Sequence, residues 1–228
     1  MVLRSCRRAR ASPQPPGPAR AKVIQFPHNE PDGIRTWPCA KVIGIHGKSS
    51  GVVVTTIAET RDENNEVVNE QYFARFFRGG VWPHQVGEPA PSHAFAPALR
   101  KRSPDFVIDQ RFDEDQTFRY TGPSGDTMPI HLDDAVAKKF GLPGNIIHGL
   151  CTMAFASHAV LSQVAPNAPG RLKRLAVRFS SPARPGDVRT TSIWKSGSAD
   201  GRDLYAFESV NDSGTALIKD GLAEVEQA

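Results

Sequence analysis

The segment that decides the fold is Gly144-Asn-Ile-Ile-His-Gly-Leu-Cys-Thr-Met-Ala-Phe-Ala-Ser-His-Ala-Val-Leu-Ser-Gln-Val164, because it contains the clearest helix of the chain. From Gly149 onward its positions are mostly small or apolar, and it carries no Asp, Glu, Lys or Arg. A helix with so little polar character is buried in the protein rather than lying on its surface. We therefore predict a buried helix from Gly149 to about Val164.

The segments around this helix are mostly predicted strands, because they are rich in β-branched and aromatic residues. A strand over 106–112 comes first, followed by a loop-rich stretch over 120–131 and a short helix over 132–140 that stops at Gly141. Four strands follow the buried helix, over 172–179, 188–195, 204–210 and 215–225. These elements predict an α+β fold in which a strongly curved antiparallel sheet surrounds one central helix.

The first half of the chain contains the strands of such a unit but no helix. Segments 51–61 and 67–77 flank a turn-like Asp62-Glu-Asn-Asn65 and predict a hairpin. A weak internal repeat relates the two halves, since Val23-Ile-Gln-Phe-Pro27 resembles Ala176-Val-Arg-Phe-Ser-Ser-Pro182 and both lead through a glycine turn to Arg-Thr. We therefore predict four regions: a disordered Arg/Pro-rich tail (1–22), an incomplete first unit (23–80), a Gly/Pro-rich linker (81–104) and a complete second unit (105–228).

Composition excludes several classes of protein. The first 22 residues hold six of the 28 basic residues and no acidic one, which leaves 22 basic against 24 acidic residues elsewhere. A basic excess on a tail argues against nucleic-acid binding, which needs it on a folded face. No apolar run is long enough to cross a membrane, and three scattered cysteines predict neither a disulfide framework nor a zinc site. We expect a cytoplasmic protein with no membrane insertion.

The candidate chemistry lies in Gly125-Asp-Thr-Met-Pro-Ile-His131. Pro129 stiffens the chain between Asp126 and His131, and five positions across such a loop can aim a carboxylate and an imidazole at one small volume. This pair can hold a water molecule and move protons near neutral pH. A metal site formed by Asp126, His131 and His148 is a weak alternative, because helical ligand spacing and a fourth ligand are missing.

Gly149 adds a second function at the start of the buried helix. The first backbone N–H groups of a helix have no intrahelical partner, and a glycine lets a ligand oxygen approach them closely. The helix dipole also favours negative charge at this end. Gly149 is therefore a candidate oxyanion site, although close packing of the helix on the sheet would also explain a glycine here. Cys151, one turn further in, is predicted to be buried and inert.

These residues carry a resemblance to a known family. Gly125-Asp-Thr-Met-Pro-Ile-His131 is similar to the hydratase 2 signature of MaoC-like dehydratases, G-D-x-N-P-[IL]-H, and His148-Gly-Leu150 is similar to the H-G-[LM] motif that follows it. Arg178-Phe-Ser-Ser-Pro182 with Pro185-Gly-Asp187 resembles the next conserved block. The resemblance implies a hot-dog fold, and specifically a double hot dog whose first half is incomplete.

The resemblance also implies a reaction, the reversible syn addition of water to trans-2-enoyl-CoA to give (R)-3-hydroxyacyl-CoA, without a metal or redox cofactor. Asp126 and His131 would activate the water and exchange the α-proton, and the Gly149 amide would bind the thioester oxygen. His148, Met128 and Arg178 are the candidate substrate-binding residues. Met128 stands where the family signature has asparagine, so we expect slow or altered activity.

Two alternatives remain open at this point. The chain could be a non-catalytic hot-dog subunit that binds acyl-CoA or a partner, which Met128 and the missing helix favour. It could also be a hot-dog thioesterase, which likewise uses a helix-start amide. In either case an incomplete first half leaves an apolar sheet face open, so we expect a homodimer, association through that half, or a start of the chain that is truncated or misread.

Overall fold

The computed structural model describes residues 20–27 (backbone only), 37–91 and 95–228. The strands are β1 (Arg20–Pro27), β2 (Trp37–Lys48), β3 (Gly51–Arg61), β4 (Val67–Arg78), β5 (Gln85–Gly87), β6 (Phe106–Arg111), β7 (Leu172–Phe179), β8 (Val188–Ala199), β9 (Arg202–Asn211) and β10 (Ala216–Glu226). The α-helices are α1 (Gln116–Ser124), α2 (Asp134–Lys139) and α3 (Gly149–Val164), with 3₁₀ turns at Pro97–Lys101, Pro129–His131 and Pro169–Arg171.

The ten strands of the described residues form one antiparallel sheet in the order β5-β2-β3-β4-β1-β7-β10-β9-β8-β6. The order is symmetric about the β1–β7 pair, where Lys22 lies opposite Arg178 and Gln25 opposite Leu175. Outward from this pair, β4, β3 and β2 on one side correspond to β10, β9 and β8 on the other. This symmetry supports the predicted repeat, because each half supplies the same four strands in the same order.

The core lies where α3 packs on the second half of the sheet. α3 has the predicted bounds, and its Met153, Ala156 and Val160 are buried against the sheet. Phe207 and Ile193, both with no exposed surface, face them from β9 and β8. Each large apolar side chain buried in this way contributes about 1.5–3 kcal/mol of transfer free energy. Because α3 carries no charged residue, it can be buried on the sheet, and it gives the second half a hydrophobic core of its own.

The predicted loop over 120–131 is partly wrong, because α1 occupies residues 116–124. Gly122, Pro123 and Ser124 gave this segment the composition of a loop, but they form only the last turn of a helix. Proline removes an N–H donor and crowds the preceding turn, so Pro123 near the end of α1 favours termination of the helix there. The first turn of α1, from Gln116 to Tyr120, carries neither glycine nor proline.

Two predicted boundaries also differ from the structure. Residues 20–22, expected to belong to the tail, are the first part of β1, which pairs with β4 and β7. The expected linker contributes strand β5, which pairs with β2 through Gly44, Ile45 and His46. The tail prediction for residues 1–19 lies outside the described residues. Among the described residues, the first α-helix begins at Gln116.

Candidate active site

Asp126 lies in a turn that its own carboxylate holds. Gly125 ends α1 in the left-handed region (φ 67°), where its N–H donates to the Thr121 carbonyl at 3.0 Å. Glycine adopts this conformation without the steric cost that a side chain would bring. The Met128 N–H then donates to Asp126 Oδ1 at 3.2 Å, and Asp126 remains partly exposed. The turn therefore presents a carboxylate at the surface in a fixed orientation.

His131 points inward from the 3₁₀ turn Pro129–His131 and is only 6% exposed. Its Nδ1 lies 2.8 Å from the carbonyl oxygen of Ile146, and because a carbonyl only accepts, Nδ1–H is the donor. The neutral ring therefore carries its lone pair on Nε2. Burial lowers the pKa of His131 below its ordinary value, which keeps the ring neutral at pH 7. The arrangement supplies an unprotonated nitrogen that can accept a proton.

His148 occupies the N-cap position of α3, and its side chain links the helix start to the Asp126 turn. The side chain is 1% exposed, and its Nε2–H donates to the Asp126 carbonyl at 3.1 Å. Its ring stacks on that of His131 with 3.8 Å between ring centroids, and Tyr120 lies on it at 5.0 Å. His148 Nδ1 is buried without a hydrogen-bond partner. His148 therefore holds the carboxylate turn and the helix start together.

The ligand-type atoms of Asp126, His131 and His148 lie within 4.8 Å of one another. One carboxylate and two imidazoles are also a donor set that zinc uses. Stacked rings, however, direct their in-plane lone pairs side by side rather than toward a common point. The geometry suits proton transfer better than a shared metal ion, and a metal-free site stays our prediction.

Gly149 follows His148 directly and opens α3. The first backbone hydrogen bond of the helix runs from the Thr152 N–H to the His148 carbonyl at 3.0 Å, so the Gly149 N–H has no acceptor within the helix. A Cβ placed on Gly149 would meet the Phe179 ring at 3.5 Å, which is ordinary contact. Packing on the sheet therefore does not require glycine here, and close approach of a ligand remains the better explanation.

The structure brings four predicted site residues together: Asp126, His131, His148 and Gly149. Met128 is next to them, within the Asp126 turn, and its side chain is 49% exposed. An exposed thioether therefore lies beside the acid–base group.

The structure does not bring Arg178 to this group. Arg178 pairs with Asp220, its Nε donating to Oδ2 at 2.8 Å. Successive strand residues point to opposite faces of a sheet, and the neighbouring Phe179 faces Gly149. Arg178 thus lies on the other face of the sheet, and its role in substrate binding stays a prediction that no contact supports.

Cys151 is buried, and burial raises the pKa of its thiol to about 11. A thiol in this environment is not a nucleophile at neutral pH. This agrees with its expected inert role.

Three contacts of the site were not predicted from the sequence. The Ile146 carbonyl orients His131, the Thr152 hydroxyl donates to the His148 carbonyl, and the buried Arg189 donates to the Thr152 carbonyl. A backbone carbonyl carries no signal of its own in a sequence. Arg189 stands in a run of four polar residues, Arg189 to Ser192, so no alternation of apolar and polar residues signals that its side chain is buried.

Comparison with known proteins identifies the family. A family model described as MaoC like domain matches residues 96–215, which is more than half of the chain. The chain belongs to the MaoC-like dehydratase family. The match includes Asp126, His131, His148 and Gly149, which are the residues that the structure brings together.

Two homologous proteins are consistent with this family assignment. The chain is 36% identical over 169 residues to the peroxisomal multifunctional enzyme type 2 of Drosophila melanogaster, covering 69% of this chain and 26% of that protein. It is 29% identical over 190 residues to the probable enoyl-CoA hydratase 2 of Dictyostelium discoideum, covering 82% and 62%. The chain therefore spans less than two thirds of the length of either relative.

Solved structures agree on the fold. A MaoC-like dehydratase from Phytophthora capsici aligns with a TM-score of 0.80 and 28% identity over 92% of this chain and 71% of that one. A Mycobacterium tuberculosis protein described as a double hotdog aligns with a TM-score of 0.60 and 13% identity over 92% and 74%, which concerns the fold alone. The predicted double hot-dog fold is confirmed.

Proposed function

We propose that this protein hydrates trans-2-enoyl-CoA to (R)-3-hydroxyacyl-CoA, or runs the reverse dehydration, in acyl-CoA metabolism. The observation that carries the proposal is the convergence of Asp126, His131 and His148 within 4.8 Å, directly before the Gly149 amide. The reaction needs an acid–base pair on one side of a carbon–carbon double bond and a donor at the thioester oxygen. Asp126 and His131 correspond to the acid–base pair, and the Gly149 N–H corresponds to the donor at the thioester oxygen.

The neutral His131 Nε2 accepts a proton from a water molecule that the Asp126 carboxylate orients. The water oxygen adds to the β-carbon of the enoyl thioester while the π electrons move to the thioester oxygen as an enolate. The Gly149 N–H, at the positive end of α3, donates to that oxygen. The acid–base pair then gives the proton taken from the water to the α-carbon, so that one water molecule is added in full without a cofactor.

Addition from one side follows from the position of the pair. Both groups contact His148 at the helix start, since its Nε2–H donates to the Asp126 carbonyl and its ring stacks on that of His131. A single acid–base pair that both removes and returns the proton delivers hydrogen and oxygen to the same face. This is the syn addition that the family resemblance implies.

A second candidate, a non-catalytic acyl-CoA-binding subunit, is favoured by Met128. The family signature has an asparagine here, and a thioether is only a weak acceptor where an amide both donates and accepts. Losing one positioned hydrogen bond costs roughly 10²–10³ in rate by analogy with a lost oxyanion donor. We propose that Met128 lowers the rate of hydration but does not abolish activity, because the acid–base cluster is complete.

One assay separates these functions. Purified protein is mixed with a short trans-2-enoyl-CoA while the absorbance of the conjugated thioester and the release of free thiol are followed together. Loss of absorbance without thiol, with (R)-3-hydroxyacyl-CoA as product, supports the hydratase. Thiol release would instead indicate a thioesterase, and binding without either signal would indicate the subunit.

Partners and location are part of the same proposal. We propose acyl-CoA as the small-molecule partner and self-association through the incomplete first half, and we expect no nucleic acid. Within the part of the chain that the structure describes, no helix is long and apolar enough to cross a membrane. A cytoplasmic location stays a prediction, and the name of the Drosophila relative places that protein in the peroxisome.

A further inference from the structure

The carbonyl of His148 accepts two hydrogen bonds from the same residue. The Thr152 N–H donates to it at 3.0 Å, as α-helical geometry requires, and the Thr152 hydroxyl donates to it at 3.3 Å. Thr152 is 4% exposed, so water does not compete for these bonds. The His148 carbonyl and the Gly149 N–H are the two ends of one planar peptide group. Whatever holds the carbonyl therefore also fixes the direction of the N–H.

A carbonyl that accepts hydrogen bonds is polarised, and its peptide N–H becomes a stronger donor. The effect is largest where the dielectric constant is low, as it is beneath a buried helix. The additional bond from the Thr152 hydroxyl thus acts in two ways on the Gly149 amide. It restricts rotation of the peptide plane, and it increases the positive charge on the hydrogen that faces a ligand.

Arg189 supports the same turn from below. It has no exposed surface, and it donates to the Thr152 carbonyl at 2.9 Å, to Thr191 Oγ1 at 2.6 Å and to Ser209 Oγ at 3.5 Å. Among the described residues, no carboxylate lies within ion-pair distance of Arg189. Burial lowers its pKa to about 10, which leaves the guanidinium charged at pH 7. Burying a cation without a counter-ion is costly. Because no described carboxylate neutralises it, Arg189 adds positive potential at the first turn of α3.

We propose that Thr152 is a positioning residue for the thioester oxygen, acting through the His148–Gly149 peptide, while Arg189 holds the Thr152 turn in place. This inference rests on the proposed function, because it assumes that the Gly149 N–H receives the oxygen. The ordinary alternative is that the Thr152 hydroxyl makes the local bond that serine and threonine often make inside helices. That alternative predicts an effect on stability alone.

The test compares Thr152→Val, which keeps the shape but removes the hydroxyl, with Thr152→Ser, which restores it. One hydrogen bond is worth about 0.5–1.5 kcal/mol, which corresponds to roughly 2- to 12-fold in rate. We expect kcat for enoyl-CoA hydration to fall by this factor in Thr152→Val while KM is retained, and to recover in Thr152→Ser. Ser162→Ala is the matched control, because Ser162 makes a similar hydroxyl bond to Ala159 in the last turn of the same helix.

A second readout does not need turnover. In the Asp126→Asn background, a bound 2,4-dienoyl-CoA should show a red-shifted absorbance, because hydrogen bonding polarises its conjugated carbonyl. We expect Thr152→Val to reduce this shift and Thr152→Ser to restore it. Thr152→Ala replaces Thr152→Val if thermal melting shows that the valine variant is unfolded.

The outcomes separate this inference from the proposed function. If the wild type does not hydrate enoyl-CoA but the shift depends on the Thr152 hydroxyl, the proposed function fails and the positioning role stands. An unchanged shift in a folded variant without the hydroxyl overturns the positioning role, whether or not kcat changes. Failure of Thr152→Ser to restore the shift overturns it as well.

Discussion

The two halves of the sheet share a strand order but differ in what they bury. β4, β3 and β2 mirror β10, β9 and β8 across the central β1–β7 pair. In the second half, Phe207, Ile193 and Val177 have no exposed surface. Among the described side chains of the first half, Ile57 is the only apolar one that is buried. Strand pairing satisfies the backbone in both halves, yet only one of them has a dense core.

The difference comes from α3. A sheet face becomes a core only when another element covers it, and α3 covers the second half through Met153, Ala156 and Val160. The same helix begins with the Gly149 amide, and His148 immediately before it connects to Asp126. The element that completes the core is therefore also the one that builds the site, and chemistry and stability should both be concentrated in the second half.

The largest expected effect contrasts the two halves directly. Phe207→Ala should lower the free energy of unfolding by about 3–5 kcal/mol, because it leaves a cavity in a fully buried site. Phe77→Ala, at a half-buried position of β4, should cost about 1 kcal/mol. Urea unfolding midpoints measure both changes. Equal losses would show that the first half is packed as tightly as the second.

A second prediction concerns the family position that differs in the site. Met128→Asn should increase kcat for enoyl-CoA hydration by up to roughly 10²- to 10³-fold, because an amide supplies the hydrogen bonds that a thioether lacks. Met128→Leu is the control and should give no increase. If the asparagine variant is no faster than the wild type under steady-state conditions, this position does not limit the rate.

The third prediction uses the buried histidine of the second half. Because burial lowers the pKa of His131, the unfolded chain binds a proton more readily than the folded one below pH 6.5. The wild type should therefore lose stability as the pH falls from 6.5 through the lower pKa of the folded state. His131→Gln should show a smaller loss over the same window in pH-dependent thermal unfolding. Identical curves would contradict the neutral state assigned to His131.

The smallest expected effect tests Arg178. Arg178→Gln removes an ion pair with Asp220 whose partners are 39% and 22% exposed. An exposed pair contributes roughly 0–1 kcal/mol, so stability should change little. KM for enoyl-CoA should stay the same, because the side chain lies on the face of the sheet opposite Gly149. A several-fold rise in KM would restore Arg178 as a substrate-binding residue.

The sequence predicted the buried elements best. α3 and β7 have the predicted bounds. The positions of α3 are mostly small or apolar and begin at Gly149, and β7 is a short β-rich segment that ends at Phe179, so few other bounds fit these segments. α1 was missed, since its last turn has the composition of a loop. Partners that are far apart in the chain were also missed: the bond from Arg189 to Thr152 spans 37 positions, and no local pattern signals it.

The site was predicted to the extent that it is local. The separation of five positions from Asp126 to His131 was enough to predict that the two groups converge, and the structure places them together with His148. Arg178 shows the limit of motif reasoning. It lies within a matching block, but strand alternation turns it to the other face of the sheet, which the motif alone does not reveal.

The most direct test of the account is the rate of enoyl-CoA hydration by Asp126→Asn, with Asp200→Asn as the matched control. Asp200 lies in the β8–β9 turn at a positive φ of 50°, a conformation that asparagine also tolerates. We predict that kcat falls by about 10²–10⁴ in Asp126→Asn, as expected for a lost acid–base group, while Asp200→Asn and the melting temperature of both variants match the wild type. Hydration by a folded Asp126→Asn protein at the wild-type rate would contradict the account.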